Sequence, residues 1–111
     1  MKINVLGTEY EVIEREVEED ELLKNADGYI DKTTKEIVLL IFTEENCEIK
    51  NIEYYKKKVL RHEIIHAFLY ESGIAESSNG VDAWAMNEEM VDFFAYQFPK
   101  LQKAFEEADC L

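Results

Sequence analysis

The stretch Asn51 to Gly73, NIEYYKKKVLRHEIIHAFLYESG, decides how the rest of the chain is read. Its pattern is helical as far as Ser72. Gly73 is well placed to end it, because glycine closes a helix in the left-handed conformation without a Cβ penalty. Up to Lys58 the helix is polar and basic on one side. The cluster Lys56, Lys57, Lys58 and Arg61 reads as a solvated face that offsets nearby acids. From Val59 to Tyr70 the helix is apolar nearly all round, through Leu60, Ile64, Ile65, Ala67, Phe68 and Leu69. A helix of that kind runs through the centre of a domain.

Upstream, the chain reads as strands. Ile3 to Leu6 is short and β-prone, and Gly7-Thr8 punctuates it. Tyr10, Val12 and Glu14 alternate with Glu11, Ile13 and Arg15 as a second strand. Glu16 to Asn25 is acidic and reads as a short helix or a loop. Ala26-Asp27-Gly28 is a turn signal, and Tyr29-Ile30-Asp31 with Glu36 to Phe42 forms a hairpin across Lys32-Thr33-Thr34-Lys35. The run Ile37 to Phe42 is too uniformly apolar for a half-exposed strand. It requires cover on both faces, or a helix on one face and a ligand cleft on the other. Downstream, Ile74 to Gly80 reads as a loop, and a second helix starts near Val81 or Asp82 and runs to Phe98. Pro99 fits the first turn of a third helix over Lys100 to Ala108. Trp84, Met86, Met90, Phe93, Phe94 and Phe98 are expected in the core. The sum is one α+β domain over residues 1–111, with a small, mostly antiparallel sheet packed on the central helix and two helices after it.

Composition narrows the function classes. A chain of 111 residues has room for one core. With a formal net charge of -13 it repels nucleic acid phosphates and anionic membranes, so neither is an expected partner. No apolar run approaches the ~20 residues that span a bilayer. Met1-Lys2-Ile3-Asn4 carries no signal-peptide pattern, and the expected location is cytoplasmic. Cys47 and Cys110 are the only cysteines and lack a CxxC spacing, which favours two reduced thiols.

The chemistry lies in His62-Glu63-Ile64-Ile65-His66, an H-E-x-x-H pattern holding the only two histidines of the chain. Residues four apart on a helix share a face, so the two imidazoles can bind one tetrahedral Zn²⁺. Glu63 lies about 100° round the helix from His62, where a general base is within reach of water at the metal. A catalytic zinc takes a third protein ligand and keeps one open position. With no third histidine, that ligand is a carboxylate or a thiolate. Glu71 turns away on the same helix, Glu76 lies in the following loop, and the second helix offers Asn87-Glu88-Glu89-Met90-Val91-Asp92. Cys110, whose thiolate would bind zinc well, is a residue that could reach the metal and silence it.

H-E-x-x-H followed by N-E-x-x-x-D, here residues 87 to 92, resembles the gluzincin clan of zinc metallopeptidases. The match covers the two helices. The short chain is similar to the compact single-domain minigluzincins, or to small HExxH proteins of phages and mobile elements. The resemblance implies a zincin-like fold of sheet, active-site helix and glutamate helix. It implies Glu88 as the third zinc ligand, with Glu89 its rival, and Asp92 as the acceptor that orients a ligand histidine, His62. In the family, the strand corresponding to Glu36 to Phe42 lies at an edge above the cleft and pairs with an extended substrate; an ordinary core strand is the competing reading. Larger members also carry a downstream His or Tyr that stabilises the oxyanion. Tyr70 and Tyr96 are the candidates here.

The expected function is therefore zinc-dependent hydrolysis of peptide bonds in a peptide or protein substrate, with Glu63 as general base. Two other classes compete: a latent or regulatory zinc-binding protein, and a metal-free acidic interaction protein resembling a DNA mimic.

Overall fold

The structure is a computed structural model that describes residues 1–77, 84–109 and 111. Strand β1 (Lys2–Val5) pairs antiparallel with β2 (Thr8–Arg15), and β3 (Gly28–Asp31) pairs antiparallel with β4 (Glu36–Leu40). The two hairpins join through a parallel pairing of β2 with β4, in which Val12 meets Ile37 and Glu14 meets Leu39. The order is β1-β2-β4-β3, a mixed sheet with two antiparallel pairings and one parallel. Between β2 and β3 the acidic segment forms two 3₁₀ turns, Val17–Glu19 and Glu21–Lys24, the second capped by the Asp20 side chain accepting from the Leu22 amide.

This order decides between the two readings of the strand Glu36 to Phe42 in favour of the core strand. The apolar strand β4 is interior, flanked by β2 and β3, and the edges are β1 and β3. Its composition follows from that place. Ile37 and Leu39 face a cluster with Val5, Tyr10, Val59 and Ala67, while Val38 and Leu40 face Leu23 under the 3₁₀ turns. Cover on both faces is what a strand without polar alternation demands.

Helix α1 (Ile52–Glu71) begins at Asn51, whose side chain accepts from the Tyr54 amide, and it ends as Gly73 turns to a φ of +83°. It lies across one face of the sheet and does not run through the centre. Lys58, Val59, Glu63 and Ala67 form its buried stripe, and Phe68 on the outer side is 39% exposed. The segment expected as a loop opens with a short helix α2 (Ile74–Ser77); the expected helix start at Val81 or Asp82 lies outside the described residues. Residues Trp84–Met86 form a 3₁₀ turn, and Asn87 then caps α3 (Glu88–Glu107), its side chain accepting from the Met90 amide at 2.8 Å.

Helix α3 corrects two further expectations. It runs straight through Pro99, so no third helix starts there. Proline has no N–H, which leaves the carbonyl four residues back without its helical donor. That carbonyl, Ala95 O, accepts instead from Arg61 Nε of α1 at 2.6 Å. The missing helical bond thus becomes an interhelical tie. The expected aromatic core is also turned round. Val91 and Ala95 are fully buried, whereas Phe93, Phe94 and Phe98 are exposed. Small inward residues let α3 approach α1 closely, and the rings are left outside. No helix among the described residues is long and apolar enough to cross a membrane.

Candidate metal centre

The i, i+4 spacing on α1 stacks the His62 and His66 rings with centroids 4.7 Å apart and brings their Nε2 atoms to 3.1 Å. Both rings are largely buried. Across the cleft, the first turn of α3 extends Glu88 toward them. Its Oε2 lies 3.1 Å from His62 Nε2 and its Oε1 3.1 Å from His66 Nε2. His62, His66 and Glu88 thus offer three ligand atoms within 4.8 Å of one another. Glu71 points elsewhere, as expected, and holds Tyr10, Thr8 and Lys35. Glu76 pairs with Lys32 on the surface, Glu89 is not in the converging group, and Cys110 lies outside the described residues.

The donor set fits a tetrahedral zinc. Ligand atoms on zinc at 2.0–2.2 Å stand about 3.3–3.6 Å apart along the edges of a tetrahedron. The two ring nitrogens stand 3.1 Å apart, and each meets a different oxygen of the one Glu88 carboxylate at 3.1 Å, so the three groups surround a common point. The protonation pattern fits as well. His62 Nδ1 lies 2.7 Å from Asp92 Oδ1, an acceptor that fixes the proton on Nδ1 and leaves Nε2 a bare lone pair. That lone pair faces the Glu88 carboxylate and the His66 ring, an arrangement that a cation would satisfy. Burial lowers the pKa of His66 below the ordinary imidazole value, which favours the neutral, ligating form.

Glu63 shares the cleft and accepts no hydrogen bond from the described residues. It is 6% exposed, beneath the start of β3, where a Cβ on Gly28 would come within 2.9 Å of Val38 O and 3.4 Å of Glu63 Cγ. The missing side chain at Gly28 therefore lets β3 lie close against Val38 and Leu39 of β4, above the glutamate. Burial pushes the Glu63 carboxyl up to about 7; His62 opposes the rise and Glu88 adds to it. The cleft has a volume of about 440 Å³, with β3 as one wall, α1 from Lys58 to Tyr70 as floor, and Met86, Glu88 and Asp92 opposite. Tyr70 lines this cleft. Tyr96 does not: it stands behind Lys58, with its ring 4.4 Å from Lys58 Nζ.

Two site residues escaped the sequence reading. Gly28 reads there only as part of a turn. Lys58 is grouped with a solvated basic face, and for Lys56 and Lys57 that holds, since they pair with Glu14 and Glu53. Lys58 instead is buried against Asp92 at 3.1 Å. Its position four residues before His62, on the same helical stripe, is the signal that could have found it.

Comparison with known protein families, characterised proteins and solved structures finds no match to this chain, so whatever the site does is to be argued from its own atoms.

Proposed function

We propose that this chain is a zinc-dependent peptidase of zincin-like architecture, related in kind to the compact gluzincins. One observation carries the reading. His62, His66 and Glu88 each bring a ligand atom within 4.8 Å of the others, and the buried Glu63, which accepts no hydrogen bond from the described residues, shares the same cleft. A structural zinc site is closed by four protein ligands, whereas three leave a position for chemistry. Bound there, zinc would polarise a carbonyl oxygen and acidify water. Glu63, next to that position, takes a proton on its carboxylate as water attacks the scissile carbonyl and delivers it to the leaving nitrogen. A carboxylate in the same cleft as the ligand set is placed both to accept and to return a proton. Asp92 holds His62 in the ligating tautomer.

The substrate enters, on this reading, as an extended peptide along β3. Among the described residues this edge strand pairs with β4 on one side only and forms a wall of the cleft, so its other side can add a strand. That moves the expected substrate edge from β4 to β3. Tyr70 is the oxyanion candidate that lines the cleft.

The test has two steps. Purified protein is expected to hold about one zinc per chain and to cleave a mixed peptide library in a chelator-reversible manner. Glu63→Gln should keep the zinc and lose about 10²–10⁴-fold in cleavage rate. Protein that takes up no zinc under either condition would sink the reading, and zinc without cleavage would leave a latent metal protein in its place.

A further inference from the structure

Lys58 is 8% exposed, although its neighbours Lys56 and Lys57 reach solvent from the same helix. Its ammonium sits among the Tyr96 ring, 4.4 Å from Nζ, the Tyr55 ring at 5.8 Å, and one carboxylate, Asp92, at 3.1 Å. Burying an ammonium is costly, and an apolar side chain of similar length would fill this space at less expense. Packing alone therefore does not account for a lysine here.

Asp92 supplies the reason. Lys58 and His62 both reach the same oxygen, Oδ1, at 3.1 and 2.7 Å. The Asp92 side chain is 44% exposed, so solvent competes for it. Lys58 is also the only lysine or arginine lining the cleft among the described residues, against Asp27, Glu63, Glu88 and Asp92. We infer that Lys58 is a positioning residue for the metal centre. It acts through Asp92, pinning Oδ1 where it fixes the Nδ1–H tautomer of His62 and so keeps Nε2 free for the metal. The inference rests on the zinc-site reading and extends it one residue outward from the ligands and their immediate acceptor.

The experiment reads zinc affinity, by competition with a chromophoric chelator, in the parent, Lys58→Met, Asp92→Asn and the double variant. Residues that orient metal ligands typically account for 10–100-fold in affinity, and Lys58→Met is expected to lower it about tenfold. Lys58→Arg should restore most of that. In the Asp92→Asn background the same Lys58→Met change should alter affinity less than about twofold, because the carboxylate through which it works is gone. A residue that merely fills space would lower thermal stability without this dependence on Asp92. Should Lys58→Met fail to fold, Lys58→Gln carries the same comparison. An unchanged affinity on losing the lysine, or an equal loss with and without the Asp92 carboxylate, would overturn the inference while the zinc-site reading stands. A parent chain that binds no zinc would overturn both.

Discussion

Glu63 and Glu71 stand about two turns apart on one helix, and they are opposite kinds of carboxylate. Glu71 is fully engaged. Lys35 Nζ and the Tyr10 hydroxyl donate to one oxygen, each at 2.7 Å, and Thr8 donates to the other at 3.1 Å. Those bonds, Lys35 foremost, lower its pKa. It fastens the end of α1 to the first hairpin and to the residue just before β4. Glu63 is more deeply buried, takes no hydrogen bond from the described residues, and has its pKa raised by that burial. A buried polar group without a partner costs free energy and persists where something other than stability keeps it. The contrast separates a glutamate tied into the fold by three donors from one that the fold buries without a donor among the described residues.

The sharpest way to break the comparison is to make both amides and measure peptide cleavage. On the functional reading, Glu63→Gln loses about 10²–10⁴-fold, whereas Glu71→Gln, assayed below its melting temperature, stays within about threefold of the parent. Equal losses would mean that the distinction drawn from hydrogen bonding has no catalytic content.

The second largest effect is on stability, with zinc removed by chelator. The Glu63 carboxyl has a folded pKa of about 7 against an ordinary 4.5. The folded state therefore binds the proton more tightly, and stability is fully present below 4.5. It falls as pH rises toward 7, by about 3 kcal/mol at most for a shift of that size. Denaturant melts at pH 4.5, 6 and 7.5 should show this fall in the parent, and Glu63→Gln should remove it. A parent curve that is flat relative to the variant would show Glu63 ionised without penalty in the metal-free fold.

How much of this was legible in the sequence depends on the range of the interactions involved. The His62–His66 pair, the Asn51 cap and the Gly73 stop are fixed within one or two turns of helix, and the chain spells them out locally. The Glu88–Asp92 spacing is equally local, and the resemblance to a known motif pointed to the two carboxylates that the fold brings against the histidines. What the sequence did not reveal is set by partners far along the chain. Whether β4 is an edge depends on its parallel pairing with β2, which local alternation does not encode. Pro99 reads as a helix start because the rescuing donor, Arg61, lies on another helix. The aromatic residues of α3 read as core because hydrophobicity alone does not say which face docks, and the small Val91 and Ala95 took that place. Lys58 was misread for the same reason: its ion-pair partner, Asp92, is on α3.

A smaller effect tests the roof over Glu63. In Gly28→Ala the new methyl meets Val38 O at 2.9 Å and Leu39 Cδ2 at 3.0 Å, the first of which is backbone and cannot swing aside. Overpacking of this kind costs about 1–3 kcal/mol, measured by denaturant titration. Zinc affinity should change little, because the ligand atoms sit on α1 and α3. A variant that melts like the parent would show that β3 has slack over the glutamate, and the close cover assigned to Gly28 would lose its meaning.

The smallest effect is the one that completes the contrast, because it must carry the opposite sign. The folded pKa of Glu71 lies below the ordinary 4.5, so its contribution to stability is present above 4.5 and is lost as pH falls through the folded value. Glu71→Gln should melt at a lower temperature than the parent at pH 7. The gap should narrow steadily on acidification, since the parent loses its ionised clamp while the amide has none to lose. Glu63→Gln differs from its parent in the reverse way, with a gap that opens as pH rises. Two neutralised glutamates on one helix thus give stability differences that run in opposite directions with pH. If the Glu71→Gln gap instead stays constant into the acid range, its bonds to Lys35, Tyr10 and Thr8 act no differently from neutral hydrogen bonds. The ionised clamp at the end of α1 would then not be what distinguishes it from Glu63.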